Sequence, residues 1–186
     1  PRSRGLGDVY KRQALFKRFA DIDAFPICLD ATSVDDIVAH VKAIAPVFAG
    51  INLEDISAPR CFEIEDRLRA ELDIPVFHDD QHGTAICVVA ALTNALRVVE
   101  KKIESARIVL AGAGAAGTAI LRLLRAAGAR DVVVTDIDGI VHEGRENLEG
   151  RLGWIAEVTN PRGVTGTLSD AVKDADVFIG VSAGNI

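Results

Sequence analysis

RIVLAGAGAAGTAI, residues 107–120, sets a run of strand-favouring residues directly before a glycine-rich turn and a helix-favouring continuation. Arg107 to Ala111 predicts a strand, and about Gly114 to Ala127 predicts a helix. Between them Gly112, Gly114 and Gly117 form G-x-G-x-x-G. The first glycine permits a tight turn, the second lets a pyrophosphate approach the backbone, and the third allows close packing of helix on strand. The helix N-terminus adds free N–H groups and the positive end of its dipole. A glycine-rich turn without a ligand is the plain alternative, but the flanking strand and helix favour dinucleotide binding.

The next run, DVVVT, predicts a second strand ending at Thr135, and Asp136 follows it. That is where an acid binds the ribose hydroxyls of an adenosine half. Asp138 lies close by, and no Lys or Arg occurs in 135–141, so the acids would repel a 2'-phosphate and NAD is preferred over NADP. Arg145 lies downstream and keeps NADP open. Leu168 to Lys173 then reads as helix and Asp176 to Ile179 as strand.

Toward the N-terminus the alternation continues. Val34, Ile37, Val38, Val41 and Ile44 recur at helical spacing, predicting a helix over 34–48. Strands are predicted at Gly50 to Leu53 and Ile74 to Phe77, with a helix between them over 59–72. A helix over 84–100 follows, capped by Thr84 and apolar enough all round to suggest burial. Strands alternating with helices define an α/β chain with parallel sheets and right-handed crossovers, and a domain boundary is placed near Asp79. The first 13 residues, PRSRGLGDVYKRQ, are basic and show no hydrophobic periodicity, so they read as a foreign flank.

The 186 residues are 49% hydrophobic and carry a net charge of −6, enough apolar content for a core and the wrong sign for nucleic acid or an anionic membrane surface. Small molecules are the expected partners. Cys28, Cys61 and Cys87 lie apart among apolar residues, which suggests buried thiols in a reduced compartment. With no signal peptide or apolar run long enough to span a bilayer, the expected location is cytoplasmic.

Two acidic pairs carry the remaining signal. Glu54 and Asp55 follow the first predicted strand, and His78 then Asp79 and Asp80 follow the second. In a β-α-β unit both pairs sit at the carboxyl edge of one parallel sheet, where ligand crevices form. Clustered carboxylates repel unless a cation joins them, and hard oxygen donors suit Mg2+ or Mn2+. Solvated turn acids are the alternative for each taken singly. His78 and His82 are assigned to shaping the loop.

Read in order, GINLEDI, PRCFEIE, IPVFHDDQHGTA and GAGAAG resemble the bacterial malic enzymes. The resemblance covers about Ala14 to Ile186 and implies oxidation of L-malate to pyruvate and CO2 with reduction of NAD or NADP. It implies metal ligands at Glu54, Asp55 and Asp80, with Asp79 either bracing a ligand from behind or orienting substrate. The stretch Ala113, Gly114, Ala115 and Ala116, set between Gly112 and Gly117, corresponds to the cofactor-contacting turn. By the same resemblance, residues 14–78 form the later part of a metal-binding catalytic domain, residues 79–186 form a Rossmann-type domain incomplete at its C-terminal end, and the full-length protein is a homo-oligomer.

Two departures accompany the resemblance. The family's tyrosine acid lies upstream of the first matching residue and is absent, and Tyr10 does not replace it. The family's lysine base falls at Arg12, with Lys11 shifted by one position. A guanidinium stays protonated and cannot act as a base. The chain is therefore expected to be a fragment, inactive by itself. Another metal-assisted hydroxy-acid or amino-acid dehydrogenase and a non-catalytic dinucleotide-binding module are the competing readings.

Overall fold

The structure, a computed structural model, describes residues 6–182, with the side chains of residues 6–10, Tyr10 among them, outside the description. The ends of both the flank and the second predicted domain thus lie outside the described residues. A helix α1 (Leu6–Ala20) opens the chain and runs without a break across position 13.

A first unit follows. Helix α2 (Val34–Ile44) is capped by Ser33, whose hydroxyl accepts from the Asp36 backbone N–H. It tightens into a single 3-10 turn at Ala45–Val47, where Pro46 cannot continue the helix. Strand β1 (Ile51–Leu53), helix α3 (Arg60–Glu71) and strand β2 (Val76–His78) then form a β-α-β unit. The strands are parallel, with Leu53 opposite His78. Ile37, Val38 and Val41 of α2 and Ile64 and Leu68 of α3 close over Leu53 and Val76 as one apolar cluster.

The chain leaves β2 through a π-helical turn (Asp79–Gly83) that continues directly into α4 (Thr84–Val98). Thr84 is therefore inside a helical run, with φ −60° and ψ −45°, rather than its cap as the sequence suggested. Burial of α4 is also one-sided. Ala85, Leu92 and Leu96, at helical spacing, face the core, whereas Ile86 is 54% and Val98 83% exposed. The inward positions meet the next unit's core, and no described element covers the others.

The second unit is a four-stranded sheet in the order β5-β4-β3-β6. Its strands are β3 (Arg107–Ala111), β4 (Asp131–Asp136), β5 (Gly139–Ile140) and β6 (Val177–Gly180). Helix α5 (Ala115–Ala126) crosses from β3 to β4, and α6 (Arg151–Val158) and the short α7 (Leu168–Ala171) precede β6. β3 pairs parallel with both β4 and β6. The two-residue β5 runs antiparallel to β4, a departure from the all-parallel expectation. The turn between them, Ile137 and Asp138, is too short for the crossover a parallel pair needs. Ile108 and Leu110 point into one face of the sheet with α4 and α5, and Val109 and Val133 into the other with α7.

Cys61 is buried, but Cys28 and Cys87 are exposed, contrary to the expectation of three buried thiols. Cys87 lies on the uncovered side of α4, and Cys28 lies in the irregular segment before α2. Among the described residues no helix is long and apolar enough to cross a membrane.

Candidate functional site

The glycine turn is built as its chemistry requires. Gly112 has φ +119°, a conformation that L side chains rarely adopt, and a Cβ there would sit 2.9 Å from the Val181 carbonyl oxygen. The Gly112 N–H donates to the Thr135 carbonyl at 2.8 Å, tying the turn to the end of β4. A Cβ on Gly117 would overlap the Gly112 carbonyl, so α5 can lie this close to β3 only with glycine at that position. Gly114 differs, because a Cβ there would meet nothing within 4 Å. Its open side, next to the unpaired N–H groups that begin α5, is the approach a pyrophosphate needs. Ala113 is buried in the core, and Ala115 and Ala116 open the helix.

Strand order places this turn at the switch point of the sheet. From β3 the chain moves to β4 on one side, and β6 lies on the other, so the turn stands where a doubly wound sheet leaves a crevice at its carboxyl edge.

Asp136 ends β4 as expected, but its carboxylate is already engaged. Arg145 donates from Nη1 to Oδ1 at 2.8 Å and from Nη2 to Oδ2 at 2.6 Å. The Asp138 backbone N–H adds a bond to Oδ1 at 2.9 Å. This fork-to-fork pair holds the Arg145 pKa above its ordinary value, first through the hydrogen bond to Asp136 and then through the charges of Asp136 and Asp138. The strand end therefore carries a cation among its acids, which the window 135–141 did not contain.

In the first unit the register sets the acidic pairs side by side. Because Leu53 faces His78 across parallel strands, Glu54 and Asp55 leave the same edge as Asp79 and Asp80. Asp55 has φ +55°, a left-handed conformation that aspartate tolerates better than most residues. The Asp79 carboxylate folds back over Gly83, where an added Cβ would lie 2.6 Å from its Oδ1. Glu54 forms an ion pair with Arg12 of α1. Among the described residues no three acidic, histidine or cysteine side chains converge closely enough to hold a metal ion. The backbone brings the four acids to one edge and their oxygens suit a hard divalent ion, but the side chains are not gathered into a ligand set.

Sequence reasoning missed a buried carboxylate beside this edge. Glu65 of α3 is 4% exposed and accepts from Gln81 Nε2 at 3.0 Å. Its other oxygen lies 2.6 Å from His82 Nε2. The signal was present, since Glu65 stands between Ile64 and Leu68 on the core face of its helix. His82 thus shapes the turn, as assigned, with its ring also tilted against Phe77 at 5.4 Å between centroids. His78 is fully buried, and neither ring nitrogen has a partner among the described residues.

A glycine turn at the switch point of a mostly parallel sheet, with an acid at the neighbouring strand end, is the arrangement of α/β proteins of the Rossmann type. Residues 81–185 match the family model described as the malic enzyme NAD binding domain, and residues 31–69 match the malic enzyme N-terminal domain. The chain belongs to the malic enzyme family. It is 53% identical over 191 residues to an NAD-dependent malic enzyme of Geobacillus stearothermophilus, covering 98% of this chain and 40% of that protein. It is 50% identical over 170 residues to an NADP-dependent malic enzyme of Halomonas elongata, covering 90% and 39%. A crystal structure of an NAD-dependent malic enzyme from Thermotoga maritima superposes with a TM-score of 0.90 at 49% identity, over 97% of this chain and 48% of that one. The chain thus spans about two fifths of the length of these two curated relatives.

Proposed function

We propose that this chain supplies the dinucleotide site and the acidic edge of an enzyme that oxidises and decarboxylates L-malate to pyruvate and CO2 while reducing NAD or NADP. The observation that carries the reading is the pairing of Leu53 with His78, which brings Glu54–Asp55 and Asp79–Asp80 to one sheet edge in a chain that also carries the glycine turn. Residues 14–78 are read as the metal-bearing part and 79–186 as the cofactor part, with 1–13 as a flank.

In this reading Gly112 to Gly117 seat the pyrophosphate and Asp136 meets the adenosine ribose, with NAD preferred. Glu54, Asp55 and Asp80 would hold Mg2+ or Mn2+ once the Glu54–Arg12 contact opens, and Asp79 would brace a ligand or orient the substrate. The ion supplies Lewis-acid polarisation of the substrate's 2-oxygen. The carboxylates would fix where the substrate's hydroxyl and carboxylate stand, and a bound nicotinamide would supply the hydride acceptor. Arg12 stands beside Glu54 at the position the family gives to a lysine base, and being permanently protonated it cannot take the hydroxyl proton. The chain by itself is not expected to turn over malate. A cytoplasmic location and a homo-oligomeric full-length protein belong to the same proposal.

The test is malate-dependent reduction of NAD and NADP with Mn2+, in the chain extended to its relatives' length. Activity that appears with Arg12→Lys and vanishes with Asp80→Ala supports the proposal. Absence of malate turnover with either nucleotide in the Arg12→Lys protein refutes it.

A further inference from the structure

We propose that Glu65 is a positioning residue that fixes the Asp79–Gly83 turn and thereby sets where the Asp79 and Asp80 carboxylates stand relative to Glu54 and Asp55. Its functional consequence rests on the metal reading given above.

A carboxylate withdrawn from water is costly unless donors meet it, and an apolar residue would pack at this position beside Ile64 and Leu68. Glu65 is nonetheless buried, and each of its oxygens has a partner from the same five-residue turn. Oε2 takes the Gln81 amide at 3.0 Å and Oε1 takes His82 Nε2 at 2.6 Å. Gln81 is itself 2% exposed, so bulk water does not stand ready to replace Glu65 as the acceptor of its amide. Arg69, one helical turn on, approaches Oε1 at 3.9 Å and adds a weaker contact from the same helix.

The turn needs such support. A π-helical turn is a rare, irregular geometry, and its entry at His78 has no side-chain cap. Asp79 and Asp80 occupy its first two positions, directly before the residues Glu65 holds. The helix bearing Glu65 also begins only a few residues after Glu54 and Asp55. One buried side chain therefore links the segment after β1 to the segment after β2, the two places from which the acidic pairs arise. Because donors occupy both of its oxygens, Glu65 is not itself a candidate ligand.

Two variants test this in the chain as it stands. Glu65→Leu removes both acceptors and keeps an apolar fit, whereas Glu65→Gln keeps an oxygen for Gln81 and an N–H for a neutral His82. Amide hydrogen exchange over 79–83 and Mn2+ affinity, followed by electron paramagnetic resonance, are read for each, with the thermal midpoint as the folding control. In Glu65→Leu exchange over 79–83 should accelerate by about tenfold or more, and the Mn2+ dissociation constant should rise by about 10- to 100-fold. Glu65→Gln should restore most of both. If Glu65→Leu does not fold, Gln81→Leu cuts the same link from the turn and should shift both readouts in the same direction. Unchanged exchange overturns the proposal, and so does faster exchange with unaltered Mn2+ affinity. If the unsubstituted chain binds no Mn2+, the metal reading falls, and exchange with its rescue by Glu65→Gln decides the role of Glu65.

Discussion

The Arg145 guanidinium closes on both oxygens of Asp136, at 2.8 and 2.6 Å, at the carboxyl end of β4. Asp138 stands 3.5 Å from the same guanidinium. The acids that would repel a 2'-phosphate are thus partly neutralised where that phosphate would lie. Arg145→Ala leaves two uncompensated carboxylates, so NADPH binding should weaken more than NADH binding, by about tenfold or about 1.4 kcal/mol in the ratio. Asp136→Asn should move the ratio the other way by freeing Arg145. Fluorescence titration with both reduced nucleotides reads each ratio, and an unchanged ratio in Arg145→Ala would remove the residue from cofactor selection.

Gly114 and Gly117 share a motif but not a role. Gly117→Ala drives a methyl into the Gly112 carbonyl, and overpacking of this kind costs about 1–3 kcal/mol. Its thermal midpoint should drop by several degrees. Gly114 has φ −79° and ψ −161°, open to any residue, with free space around it. Gly114→Ala should keep its stability within about 0.5 kcal/mol while weakening NADH binding by about tenfold or more. Calorimetry with nucleotide titration separates the two outcomes. Gly114→Ala binding NADH normally would show that nothing approaches that side of the turn.

Asp176 ties β6 to β3 by accepting from the Arg107 backbone N–H at 2.8 Å and pairing with Lys101. The backbone bond, then the Lys101 contact, hold its pKa below the ordinary 3.8. A depressed carboxylate binds its proton more readily in the unfolded chain. Its stabilisation is complete above the ordinary value and is lost as pH falls through the folded one. Asp176→Asn should therefore be less stable than the unsubstituted chain near neutrality, and the gap should narrow below about pH 4. Urea unfolding between about pH 6 and pH 2 measures the gap, and a gap independent of pH would contradict the assignment.

Thiol chemistry should follow burial. Cys61 is fully buried and its thiol is pushed up, chiefly by that burial, whereas Cys28 and Cys87 are exposed. A disulfide reagent should label Cys28 and Cys87 rapidly in the folded chain and reach Cys61 only on unfolding. Rapid labelling of Cys61 under native conditions would show that α3 does not stay packed.

The parts legible in the sequence are those written locally. β3, the glycine turn and α5 announce themselves because strand alternation, backbone-permissive glycines and helical spacing fall within a few residues of one another. The shared edge of the acidic pairs was also legible, since a single helix between two short strands leaves little choice but a parallel β-α-β unit. What escaped depends on partners distant in sequence. The uncovered side of α4 reads as apolar whether or not anything packs on it, so burial was overestimated for the helix and for Cys87. Arg145 meets Asp136 only because the segment after β5 folds back, which a window on either residue does not reveal. The π-helical turn extends α4 toward β2 through residues that read as a loop, and Thr84 therefore looked like a cap. Glu65 was the missed opportunity, a charge at a core position of α3 with its donors sixteen and seventeen residues away.

Product stoichiometry tests the central claim most directly. With the chain extended to the length of its relatives and carrying Arg12→Lys, malate, Mn2+ and NAD are combined, and reduced nucleotide, pyruvate and CO2 are measured together. The expected result is all three in equal amounts. Reduced nucleotide with oxaloacetate and no CO2, or no reduction at all, would contradict assignment of this acidic edge to oxidative decarboxylation.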